Sequence, residues 1–228
     1  WGKVQKRHGM MRASVEEDGT QSIAPSSKIG HIERAECANS SEAKQQLEEI
    51  KRTVFALAKP PLHRVVSISW HEESGKQTRL VFCFDYTVLD ALSVMTVLAE
   101  LAELYENPGA DLPGIGLTFR DFVVGHRRDG REVEEAEGYW RSRLPELPPA
   151  PQLPLAADPS TVGEGRFERL WRTVAEPEWS AVKEKARLHG ITPSAVLLAC
   201  YARVLSAWSG GGGVTLNLTI FDRPEVHP

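Results

Sequence analysis

Apolar residues recur along the chain in two rhythms. From Leu89 to Tyr105, Leu92, Val94, Met95, Leu98, Leu101, Ala102 and Tyr105 keep a 3.6-residue period, which predicts a helix stopped by Asn107-Pro108-Gly109. Leu47, Ile50, Val54, Phe55 and Leu57 have similar spacing. They predict a helix capped by Ser40 or Ser41, reaching about Ala58 and ended by Pro60-Pro61. Residues 1–12 read as a helix end interrupted by Gly9, and Phe119–His126 and Glu132–Leu144 as two further helices. Glu178–His189 and Thr192–Trp208 form a later pair, the second opened by Thr192-Pro193-Ser194, where proline is pre-set for the first turn.

The period-2 rhythm predicts strands. Val65–Trp70 and Arg79–Phe84 flank a polar turn, His71 to Lys76, and should pair antiparallel. Leu80 to Phe84 is continuously apolar, which predicts a strand buried on both faces. Val15 to Ile23 reads as a hairpin around Glu16-Glu17-Asp18-Gly19, because Asp-Gly supplies the positive φ of a tight turn. Phe167–Val174 alternates like a strand. So does Val214–Phe221, with Thr215, Asn217 and Thr219 on one side and Val214, Leu216, Leu218 and Ile220 on the other; that polar face suits the wall of a cleft.

Between these regions Leu144 to Leu155 holds five prolines in twelve residues, too many for a helix or central strand, and is expected to be an extended connector packed on its own domain. A polyproline ligand for another module is the rival reading. The lobe boundary is placed around residues 145–165. Trp1, not methionine, opens the sequence, and Val226-His227-Pro228 follows directly on a β pattern, so a piece of a longer polypeptide is expected.

Composition narrows the function classes. Lys+Arg 27 against Asp+Glu 31 gives a formal charge of −4, which offers no bulk attraction to nucleic acid. An apolar share of 41% can build a core, while no apolar run approaches the roughly 20 residues of a membrane span. Three scattered cysteines, Cys37, Cys83 and Cys200, and the lack of a leader pattern fit a soluble, cytoplasmic protein without a disulfide framework. No two of the seven histidines have metal-ligand spacing, and no metal site is expected. Gly210–Gly213 is a loop and not a phosphate cradle, since no Lys-Ser/Thr follows it.

The candidate chemistry sits at Asp85-Tyr86-Thr87-Val88-Leu89-Asp90-Ala91-Leu92-Ser93, where two carboxylates and a hydroxyl leave a strand and enter a helix. Capping of the turn and of the helix is the competing structural reading. A second polar group comprises Asn217, Thr219, Asp222 and Arg223.

Asp85-x4-Asp90-x2-Ser93 resembles the D-x-x-x-x-D-x-x-S signature of the heterocyclization domains of nonribosomal peptide synthetases, in the condensation-domain superfamily. The resemblance continues in order through Arg7-His8-Gly9-Met10-Met11-Arg12, Phe119-Arg120-Asp121-Phe122, Tyr139-Trp140-x2-Arg143-Leu144, the proline stretch from Leu147 to Leu155, Gly190-Ile191-Thr192-Pro193-Ser194, Trp208-Ser209 and Asn217-Leu218-Thr219-Ile220-Phe221-Asp222-Arg223 with His227-Pro228. Two departures stand out: Asp222 replaces the family's asparagine, and the closing proline falls one place early, at Pro224.

The resemblance implies an α/β, chloramphenicol-acetyltransferase-like fold of two lobes, the first nearly complete and the second truncated. Residues 1–150 would be the first lobe, 151–165 the connector and 166–228 the start of the second. It implies an enzyme that joins a carrier-bound acyl or aminoacyl donor to carrier-bound cysteine, serine or threonine and cyclodehydrates the product to a thiazoline or oxazoline. The alternatives are an acyltransferase that stops at the amide and a non-catalytic module that docks carriers. Histidine-dependent condensation is excluded, because Asp85 and Tyr86 occupy the histidine positions of ordinary condensation domains.

Asp85, Asp90 and Ser93 are the implied catalytic set, with Asp90 a structural carboxylate bridging to Arg223. Tyr86, Asn217 and Thr219 would line the tunnel. No cofactor is bound directly; substrates ride on the 4'-phosphopantetheine of upstream and downstream carrier domains, beside an adenylation domain, with no role for nucleic acid or membrane. The chain by itself is expected not to cyclize.

Overall fold

The computed structural model describes residues 1–26, 29–125, 129–163 and 170–220. They form two compact units, Trp1–Arg127 and Arg128–Ile220.

In the first unit, α1 (Gly2–Arg7) runs into a 3-10 turn at Gly9–Arg12, and β1 (Ala13–Val15) and β2 (Gln21–Ile23) pair antiparallel around Gly19, whose φ is +83°. The predicted hairpin is present. Next come β3 (Ile32–Glu36), α2 (Ser40–Ile50), β4 (His63–Glu72), β5 (Gly75–Phe84), α3 (Ala91–Glu106) and α4 (Phe119–Gly125). The sheet order is β3-β4-β5, with β3 parallel and β5 antiparallel to β4. Because a parallel pair needs a crossover, α2 returns the chain across one face of the sheet.

Alternation along β4 divides the core between the two faces of the sheet. Val66 and Ile68 join Cys37, Ala43 and Ile50 beneath α2. On the other side Val4, Met11, Leu62, Val88, Leu89 and Val97 form a second cluster, with Phe84 and Phe55 packed against it.

Several expectations are corrected. The helix capped near Ser40 ends at Ile50, not near Ala58: Asn39 caps its start, and the Thr53 N–H and hydroxyl both bond to the Ile50 carbonyl, the latter at 2.7 Å, tightening the last turn. The chain then crosses to carry Phe55 into the other cluster. The β4–β5 strands extend through most of the predicted polar turn, leaving only Glu73-Ser74 between them. Leu80–Phe84 is not buried on both faces: among the described residues β5 is an edge of the sheet, Leu80 is half exposed and the next four residues are partly buried. Strand β3 was not anticipated. Its partly buried positions are Glu33 and Ala35, so its hydropathy does not mark an inner face.

The second unit contains α5 (Gly130–Arg143), short 3-10 turns at Leu144–Glu146 and Pro159–Thr161, α6 (Glu176–Leu188) and α7 (Pro193–Trp208). Both predicted late helices are present, α7 opening with Thr192, whose hydroxyl accepts from the Ala195 N–H at 3.2 Å. Residues 170–174 and 214–220 are not strands, because neither forms a ladder with any described residue. Phe167–Arg169, Phe221 and His126, the remainders of predicted elements, lie outside the described residues. The connector lacks regular structure after Glu146 up to its turn at Pro159, and the Pro149 carbonyl accepts from the Thr215 N–H at 3.0 Å. This bond joins the connector to its own unit. No single helix among the described residues is long and apolar enough to cross a membrane.

Candidate functional site

Strand β5 ends at Phe84, and the next residue is fixed before the loop begins, since the Asp85 N–H donates to the Leu62 carbonyl at 3.0 Å. The Asp85 carboxylate turns back on the chain, accepting from the Thr87 N–H at 2.8 Å and from the Thr87 hydroxyl. Such a side-chain turn is the local habit of aspartate. The Val88 and Leu89 amides approach the Asp85 carbonyl at 3.3 and 3.4 Å, and both side chains are buried. These two residues anchor the loop in the core.

Asp90 is the N-cap of α3, its carboxylate accepting from the Ser93 N–H at 2.8 Å. Asp85, Tyr86, Asp90 and Ser93 therefore belong to one strand-to-helix connection, with Tyr86 mostly exposed. Asn217 and Thr219 are exposed residues of the second unit. Arg223 and Asp222 lie outside the described residues.

The helix that carries Asp90 is held at its middle by the Arg7-His8 pair. Arg7 Nε lies 3.1 Å from both Glu100 carboxylate oxygens, and His8 Nε2 lies 2.6 Å from one of them. Arg12 caps the end of α1 by donating to the Lys6 carbonyl at 2.9 Å and to the Gln5 carbonyl, and it also reaches the Ala24 carbonyl at 3.0 Å. Thus Arg7 and His8 of the Arg7-to-Arg12 motif tie α1 to α3, while Arg12 secures the end of α1.

Sequence reading missed the surface beside this loop. A groove of about 650 Å³ is lined by Phe55, Phe82, Phe84, Asp85, Tyr86 and Val94, among others. The available signal was the Phe82/Phe84 alternation leading into Asp85, which places both rings on one face. Phe55 could not be found this way, as it comes from beyond the end of α2. Among the described residues no group of three or more His, Cys, Asp or Glu side chains could hold a metal.

The sequence pattern of the condensation-domain family matches residues 1–227. The chain is 31% identical over 243 residues to phenyloxazoline synthase MbtB of Mycolicibacterium paratuberculosis, covering 99% of this chain and 19% of that protein. It is 30% identical over 238 residues to pyochelin synthetase PchF of Pseudomonas aeruginosa, covering 100% of this chain and 13% of the synthetase. Among solved structures it is similar to the EpoB cyclization-docking bidomain of a nonribosomal peptide synthetase from Sorangium cellulosum, with a TM-score of 0.77, 32% identity, and coverage of 91% of this chain and 43% of that one. The nonribosomal peptide synthetase FmoA3 gives a TM-score of 0.81 at 28% identity, covering 99% of this chain and 24% of that one. The chain thus spans less than a fifth of the length of these two synthetases and less than half of either solved chain. The mixed α/β fold is that of condensation domains, the chloramphenicol-acetyltransferase-like fold, covered in part.

Proposed function

Because the chain belongs to the condensation-domain family, we propose that it is part of a heterocyclization domain of a nonribosomal peptide synthetase. The observation that carries this reading is the site loop: Asp85, Asp90 and Ser93 stand on one strand-to-helix connection, and Asp85 and Tyr86 border an apolar groove. A relative named for phenyloxazoline synthesis and a structural neighbour named as a cyclization bidomain support it.

In the proposed reaction the amine of a carrier-bound cysteine, serine or threonine attacks the donor thioester and displaces the donor carrier's thiol. The side-chain thiol or hydroxyl then adds to the new amide carbonyl, and the resulting hydroxyl leaves as water. That sequence needs a proton acceptor and a proton donor near one carbon. Asp85 and Ser93 polarise the reacting groups in this reading, while Asp90 is the structural carboxylate that caps α3. Tyr86 then faces substrate from the first unit, and Asn217 and Thr219 are substrate-facing residues of the second. Substrates arrive on the 4'-phosphopantetheine of carrier domains on either side, with an adenylation domain as neighbour, so positioning supplies much of the rate.

Residues 1–150 are the first lobe in this reading, 151–165 the connector and 166–228 the opening of the second. Helix α5, which belongs to the second compact unit, is thereby counted with the first lobe.

The test is to incubate donor-loaded and cysteinyl-loaded carriers with the intact domain of the synthetase. A product lighter than the amide by one water supports heterocyclization. Amide without loss of water would assign an acyltransferase, and carrier binding without either product a docking module.

A further inference from the structure

His63 opens β4, and the strand's alternation puts it on the face shared with Val65, opposite Phe84 in the ladder. That face is aromatic. The Trp1 ring stands edge-on to the imidazole at a centroid distance of 5.3 Å, Phe84 lies at 6.4 Å, and Phe82 packs 5.8 Å from Trp1. His63 is only 6% exposed, and its Nε2 has no hydrogen-bond partner among the described residues; the buried Trp1 indole nitrogen has none either.

The polar groups nearby are already committed. From α1, Gln5 donates its amide to the Gly30 carbonyl at 2.8 Å and accepts from the Gly30 N–H at 2.6 Å. Gly30 itself borders the ring, since a Cβ there would meet His63 Cε1 at 3.4 Å. From the 3-10 turn comes the Met11 backbone, and from β5 the two phenylalanines. None of these groups is charged. A neutral imidazole can present a bare nitrogen to such a box, whereas a protonated one buries a charge and an N–H without an acceptor. Burial accordingly pushes the His63 pKa down from 6.5, against a smaller opposing pull from backbone hydrogen bonding at His63 and Met11.

The same strand end holds the site loop. Leu62, adjacent to His63, supplies the carbonyl that receives the Asp85 N–H, and Phe84, the rung partner of His63, precedes Asp85. We propose that neutral His63 is a positioning residue for the Asp85 loop, and that its protonation releases the Leu62–Asp85 rung and loosens the loop. Its bearing on catalysis rests on the function proposed above; the device itself is read without any activity.

The sign follows from linkage. The unfolded chain takes up this proton near pH 6.5 while the folded chain resists it, so the hold on the loop is complete above that pH and is lost as pH falls through the depressed folded value.

The experiment is an NMR titration of the chain from about pH 7.5 to about pH 5, following the His63 ring, the Trp1 indole and the Asp85 and Thr87 amides. The His8 ring, beside the Glu100 carboxylate, is assigned separately from that of His63. The expected result is a His63 midpoint below 6.5, shared by the Asp85 and Thr87 amides and lost from them in His63→Phe. A midpoint at or above 6.5, or loop amides that do not follow the ring, would overturn the proposal. If His63→Phe does not fold, agreement of midpoints in the unmodified chain decides. In the intact domain, the acid limb of product formation should move to lower pH in His63→Phe. A domain that makes no heterocycle would defeat the proposed function and leave the amide titration standing.

Discussion

The Asp90 carboxylate accepts a hydrogen bond from the Ser93 N–H at 2.8 Å, so two members of the D-x-x-x-x-D-x-x-S motif are the N-cap and third residue of one helix. Their spacing of three is the spacing that capping demands. Replacing Asp90 by alanine removes the side-chain acceptor and should cost about 1 kcal/mol of stability, with asparagine retaining most of it. Urea denaturation measures this. A much larger loss of product than of stability would mark Asp90 as more than a cap.

Gln5 is fully buried and bonds both the N–H and the carbonyl of Gly30. Gln5→Leu preserves bulk but leaves two backbone groups unpaired, at a cost of about 1–3 kcal/mol for each group that stays buried and unsatisfied. Hydrogen exchange at the Gly30 amide should accelerate along with the fall in denaturation midpoint. An unchanged midpoint would show that water replaces the amide there.

Glu33 and Arg64 form a two-pronged pair, Nε and one terminal nitrogen each 2.8 Å from a carboxylate oxygen. The hydrogen bond from Arg64 holds the Glu33 pKa below 4.5, with burial opposing it. A lowered folded pKa contributes stability that is present above about pH 4.5 and lost as pH falls through the folded value. Arg64→Gln should therefore flatten the acid side of the stability profile relative to the unmodified chain. Both groups are about one-third exposed, so the expected change is small. Denaturation midpoints collected between neutral pH and pH 3 or so, compared for the two chains, test it.

The elements most legible in the sequence are those specified locally. Helix α3 announces itself by its apolar period and its Asn107-Pro108-Gly109 stop, and the Asp85–Ser93 loop by a spacing that is itself a structural device. Long-range partners were not legible. The charged side chain at an inner position of β3, Glu33, is matched by Arg64, 31 residues later, so local hydropathy conceals the strand. Helix α2 stops early because Thr53 closes on Ile50 and Phe55 is needed in the other cluster, neither of which a helical period records. Residues 214–220 carry a faithful strand pattern without forming a strand, since alternation specifies faces and a ladder requires a neighbour. Of the candidate site, the loop residues are found together, Asn217 and Thr219 belong to the second unit, and the aromatic groove beside Asp85 was invisible until Phe55 was placed.

The central claim is that the Asp85 loop serves carrier-to-carrier heterocycle formation. Its most direct test is mass analysis of the acceptor carrier after reaction with the intact domain, unmodified and as Asp85→Ala. The expected result is a dehydrated, cyclized product from the unmodified domain and its loss in Asp85→Ala, with the folded fraction unchanged. Equal yields of the dehydrated product from both would contradict the assignment of chemistry to this loop.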